Sequence, residues 1–161
     1  MAQDFKVIIR AVIIAAILLQ ALFIGLAFIW PYIPIGDSSF ANSLRNGLNL
    51  FLLWMVVSST LRSIYRLRPG IEWWKLMISG LGIVALTLVV QYAVFQALQM
   101  TDHVALTEKP SMDSIQFFLG IGFVVSFLSM IKLKVRSAFW AGVIELLFIG
   151  GLIYLFFFYG L

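Results

Sequence analysis

The stretch VIIRAVIIAAILLQALFIGLAFIW, Val7 to Trp30, decides the fold class. It carries no charge after Arg10 and ends on Trp30-Pro31-Tyr32, a group suited to the edge of a bilayer. At 1.5 Å per residue such a run crosses a hydrocarbon core about 30 Å thick. Lys6 and Arg10 resemble the basic head of a secretory signal. The apolar run outlasts a signal core of about 7–15 residues, however, and no A-x-A cleavage site follows, so the segment reads as a retained span.

Working outward, four more apolar segments follow: Leu44 to Ser63, Trp74 to Met100, Ser114 to Ile131 and Ala138 to Tyr159. Each is about 18–27 residues long, enough to cross a bilayer, with tilt or overhang for the longer ones. Between them stand breakers. Pro31, Pro34, Gly36, Asp37 and Ser38 make a turn-rich loop, and Pro69-Gly70 divides the second segment from the third. Thr101 to Asp113 is the one sizeable polar stretch, with Ser111 or Asp113 as a cap for segment four. Lys132, Lys134 and Arg136 leave room for little but a helical hairpin. The expected fold is an all-α integral membrane protein. It is a single membrane domain, residues 1–161, with about five transmembrane helices over 7–30, 44–63, 74–100, 114–131 and 138–159.

Composition agrees. The 161 residues are 63% hydrophobic and 11% charged, with a mean hydropathy of +1.07. Soluble domains carry about 25% charged residues, and so few charges cannot cover so much apolar surface in water. There is no cysteine, which excludes disulfides, thiolate metal sites and thiol catalysis within the chain. His103 is the single histidine, so a bis-His haem within the chain is excluded and neither metal nor cofactor is expected. The net charge of +4 reflects basic residues beside apolar segments, which topology explains better than nucleic acid does.

Charge also orients the chain. Lys6 and Arg10, then Arg62, Arg66, Arg68 and Lys75, then Lys132, Lys134 and Arg136 fall on one side of a five-span arrangement, leaving Arg45 and Lys109 on the other. The positive-inside rule therefore places the N-terminus in the cytoplasm and the C-terminus outside. Trp30, Tyr32, Tyr65, Trp73, Trp74 and Trp140 fall near the expected interfaces as anchors.

Glu145 is the most informative polar residue. It stands in WAGVIELLFIG, well inside segment five, at a depth of about 12–14 Å if the helix enters near Arg136. A carboxylate there costs a few kcal/mol unless it is neutralised, paired or wet. Ala138, Ala141 and Gly142 share its helical face with Ile149 and Leu152, and small residues permit close helix approach, so this face is expected to point into a bundle. Three readings stay open: hydrogen-bonding glue between helices, a pair with a basic side chain, or a proton or cation site. For the pair, Arg62 is favoured over Arg10. Side chains lean toward their own helix N-terminus, which carries Arg62 inward and Arg10 outward.

Gln20, Gln91, Gln96, Asn46, Asn49 and the hydroxyls Ser58, Ser59, Thr60, Ser126 and Ser129 suit hydrogen bonds between helices. Arg62, Arg66 and Arg68 with Tyr65, Trp73 and Trp74 are candidates for contact with lipid head groups. His103 reads as part of a replaceable polar loop. No nucleophile–base set, H-E-x-x-H or phosphate-binding loop occurs. The expected function is therefore a non-enzymatic subunit or scaffold of a membrane complex, in a bacterial cytoplasmic membrane. Its partners would be the lipid bilayer and other membrane subunits or further copies of itself. The alternative is a small transporter, channel or ion-coupled component that uses Glu145.

Overall fold

A computed structural model describes residues 2–33, 39–99, 111–135 and 137–159. Among them every regular element is helical: α1 (Ala2–Ile29), α2 (Ser39–Leu67), α3 (Trp73–Gln99), α4 (Met112–Lys134) and α5 (Ala138–Tyr159). Four helices, α1 to α4, are long and apolar enough to cross a membrane. Within α5 the described side chains run from Phe139 to Gly151 and are also predominantly apolar. The polar loop around His103 lies outside the described residues, as do 34–38 and Arg136.

The helices reach beyond the apolar segments at several ends. α1 starts at Ala2 and α2 runs from Ser39 to Leu67, because polar and basic residues extend a helix as readily as apolar ones while hydropathy marks only its middle. Pro31 sits in a short 3₁₀ turn, Trp30–Tyr32, closed by the Ile33 N–H donating to the Trp30 carbonyl at 3.1 Å. Pro69, which has no N–H and disfavours helix in the residue before it, ends α2. The Ile71 N–H then donates to the Arg68 carbonyl at 3.1 Å and turns the chain into α3.

Four helices form the core. α1 packs on α2 and α3, α4 packs on α2 and α3, and α2 meets α3 across the centre. The buried residues recur at helical spacing: Leu76, Ser79, Gly80, Ile83, Val84 and Thr87 on α3, and Gly122, Val125, Ser126, Ser129 and Met130 on α4. The opposite faces are just as apolar, with Ile13, Ile14 and Ile17 on α1 and Phe123, Val124 and Phe127 on α4 all exposed. A soluble bundle would put charges there.

The tightest contact is between α3 and α4. A methyl group on Gly80 would stand 2.7 Å from Ser126 Cβ, and one on Gly122 would stand 2.6 Å from Val84 Cγ2. Gly80 and Val84 on one helix thus face Ser126 and Gly122 on the other, four residues apart in each, as antiparallel neighbours must. Glycine is required at both points because the facing side chain occupies the space of a Cβ. The same methyl position on Gly80 would also touch Leu61 of α2 at 3.5 Å, and one on Gly82 would touch Val12 of α1 at 3.5 Å. These registers gather the starts of α1 and α3 and the ends of α2 and α4 at one end of the bundle. Lys6, Arg10, Arg62, Arg66, Lys75, Lys132 and Lys134 therefore share that basic end.

Candidate functional site

Glu145 lies two turns into α5, about 10 Å along the axis from Ala138. Its Oε1 accepts a hydrogen bond from Lys132 Nζ, in the last turn of α4, and the two form an ion pair. The partner is Lys132, where the sequence favoured Arg62. The reason is the directional lean that argued for Arg62: α4 runs toward the basic end as α2 does, so Lys132 also leans inward. α5 runs the other way, so Glu145 leans toward Lys132. The short hairpin between them brings α4 and α5 side by side, and the long lysine spans the remaining depth. Arg62 is exposed and close enough for its positive charge to act on Lys132, without reaching ion-pair distance of the carboxylate. The lean alone admits Arg62, Arg66, Lys132 and Lys134 alike, and only the packing of α5 beside α4 selects Lys132.

The small-residue face of α5 departs from expectation in part. Gly142 and Ile149 are exposed, whereas Ala141 is half-buried on the side of Ile144, Glu145 and Phe148, which make the inward contacts; the side chains of Ala138 and Leu152 lie outside those described. Glu145 stands at the border of the two faces, its side chain 35% exposed against 18% for Lys132. Phe148 stacks on Trp54 of α2 with centroids 6.3 Å apart and planes at 29°. Among the described side chains, this ring contact and the Lys132–Glu145 pair attach α5 to the bundle.

Between α2, α4 and α5 lies a cleft lined by Trp54, Ser58, Leu128, Ser129, Lys132, Ile144, Glu145 and Phe148. Including its open mouth it spans about 230 Å³, yet the room inside suits at most one water molecule. The Trp54–Phe148 stack lies deeper in the bundle than the ion pair.

Ser129 is only 4% exposed, and its Oγ has no hydrogen-bond partner among the described residues. The other buried hydroxyls each donate to the carbonyl four residues back: Ser79 to Lys75 at 2.6 Å, Thr87 to Ile83 at 2.7 Å and Ser126 to Gly122 at 2.6 Å. Ser129 has the same local option and does not take it. Gln20 Oε1, on α1, is likewise buried without a partner.

The remaining sequence candidates stand apart from this cleft. Arg66 lies in the last turn of α2, Arg68 in the turn after it, and Trp73 and Trp74 are exposed at the start of α3. Lys75 pairs with Glu72 at 3.1 Å and lies 5.4 Å from the centre of the Trp74 ring. This edge has the aromatic and cationic character of an interface anchor. Among the described residues no group of three histidine, aspartate or glutamate side chains is placed to hold a metal. Comparison with protein families, with curated proteins and with solved structures finds no match to this chain.

Proposed function

We propose that the chain is an integral membrane protein with its basic end in the cytoplasm, acting as a non-enzymatic subunit or scaffold that presents α5 to a transmembrane helix of a partner. The observation that carries this is the outward face of α5. Gly142, Leu146, Ile149 and Gly150 fall on one stripe and are exposed, and a methyl group on either glycine would meet no described atom within 4 Å. Within this same chain, α3 and α4 use glycine for close helix contact. α5 offers the same means of contact with no neighbour among the described residues, beside a carboxylate that lipid alone would solvate poorly.

The test is copurification in mild detergent, comparing the parent with Gly142→Leu/Gly150→Leu. The double variant should keep the parent's thermal stability and lose a stoichiometric partner, while Phe123→Leu on the lipid-facing side of α4 keeps it. Retention by the glycine variant counts against the reading. Topology is tested separately on this cysteine-free chain. Cysteines at Ser39 and His103 should label with an impermeant thiol reagent from outside, and those at Ser63 and Ser137 should not. External labelling at Ser63 or Ser137 defeats the orientation.

The rival reading, an ion-coupled component using Glu145, draws its support from the Lys132–Glu145 pair that lines the cleft. Transport by the chain alone in liposomes, abolished by Glu145→Gln with the fold intact, would favour it over the subunit reading.

A further inference from the structure

We infer that the cleft between α2, α4 and α5 is a hydration site, in which one water molecule bridges Ser129 Oγ to the Lys132–Glu145 pair and exchanges with solution at the basic end. The inference rests on the membrane-spanning reading and is independent of any partner on α5.

Three observations carry it. The first is the Ser129 hydroxyl, which is buried, lines the cleft and has no hydrogen-bond partner among the described residues. A buried hydroxyl without a partner is costly, and the three comparable hydroxyls of this bundle avoid that cost by bonding to their own helix. The second is the size and lining of the cleft. A water needs about one probe sphere of room and two to four polar partners. Ser129 and Lys132 are three residues apart and so share a face of α4, with Glu145 opposite. The ammonium group has three donors and spends one on Glu145 Oε1. The hydroxyl, a remaining ammonium hydrogen and the carboxylate supply three partners for a water. An apolar cavity of this size would stay dry.

The third observation is direction. The Trp54–Phe148 stack lies on the inner side of the pair. Arg62, Lys132 and Lys134 mark the other side, and Arg62 is exposed there. In this arrangement the bridging water would meet bulk solution at the basic end, where Arg62 is exposed. It solvates an ion pair that lipid could not, and it gives the Glu145 carboxylate proton exchange with one face of the membrane.

Radiolytic hydroxyl labelling of the full chain in lipid nanodiscs tests this, because bound water generates the radical beside the residues it touches. Trp54 and Phe148 should be oxidised, while Phe123, which is lipid-facing, should be several-fold less so. Replacing Ser129 with valine removes the hydroxyl and fills the space. Ser129→Val should lower oxidation of Trp54 and Phe148 several-fold and leave exposed Trp73 unchanged. Equal oxidation in parent and variant overturns the inference, as does a parent in which Phe148 is no more reactive than Phe123. Should the valine variant fail to fold, the parent in heavy-oxygen water decides. Phe148 should acquire the heavy label more slowly than Trp73 but completely, and a Phe148 that never acquires it overturns exchange with solution. Oxidation of Phe123 as strong as that of Trp73 would instead defeat the membrane reading, so the two failures are distinguishable.

Discussion

α4 has an antiparallel helix on each side, and the two contacts are opposite in kind. Against α3 it is dry and close, with Gly80 seated on Ser126 and Gly122 on Val84, and with the hydroxyls Ser79, Thr87 and Ser126 satisfied by their own helices. Against α5 it is polar and open, held by Lys132–Glu145 beside a cleft containing the unsatisfied Ser129. None of the described α5 side chains is fully buried. For helices that span a membrane, as proposed above, apolar area gives little reason to associate, so close van der Waals packing and polar contacts would supply the adhesion. The first contact uses packing and is structural. The second uses charge at the edge of a bundle, where water or another protein can compete for it.

The largest effect is expected at the close contact. Gly80→Ala and Gly122→Ala each place a methyl group into a facing side chain, and overpacking of this kind costs about 1–3 kcal/mol. Neither neighbour can simply rotate aside, since Ser126 presents its Cβ and Val84 is β-branched. Thermal or denaturant unfolding in detergent should register the loss, and adding Ser126→Gly to Gly80→Ala should recover part of it. Unchanged stability in both single variants would erase the contrast.

The ion pair comes next. Glu145→Leu strands Lys132, and because both groups are partly exposed the loss should be about 2 kcal/mol, below the 3–5 kcal/mol of a fully buried pair. Adding Lys132→Met should relieve most of that loss. Glu145→Gln, which keeps a hydrogen-bonding head, should lie between parent and Glu145→Leu. A double variant less stable than Glu145→Leu would show that the two charges do not act as a pair. Smaller again is Trp54→Leu, which removes the stack on Phe148. A loss of about 0.5–1.5 kcal/mol beyond buried area is expected, with greater protease access at the α4–α5 hairpin. If access stays the same, α5 is held by more than the ion pair and the rings.

The least effect on stability is expected at the outer face of α5. Gly142→Leu and Gly150→Leu meet no described neighbour, so the isolated chain should change by no more than about 0.5 kcal/mol. A large loss in the isolated chain would mean that this face is already engaged, and would turn the open side of the comparison into a closed one.

Much of this was legible in the residues. Runs such as Val7–Trp30 mark the helices because length and apolarity in one continuous segment, which a membrane span would require, are both local properties. Pro31 and Pro69 mark where helices stop for an equally local reason, the missing N–H. Glu145 was conspicuous because an isolated carboxylate in an apolar run is costly wherever the helix lies.

What the sequence could not decide was which way each face turned. Hydropathy determines orientation only when one face is polar, and the faces of these helices are alike in polarity. Gly142 therefore suggested an inward position that the structure does not give it, although Ala141 beside it is half-buried on the side of Ile144, Glu145 and Phe148. The choice of Lys132 over Arg62, the pairing of Gly80 with Ser126 and the isolation of the Ser129 hydroxyl depend on the rotation and register of neighbouring helices. Those are set by the mutual fit of side chains remote in sequence, so they became visible only once the bundle was assembled.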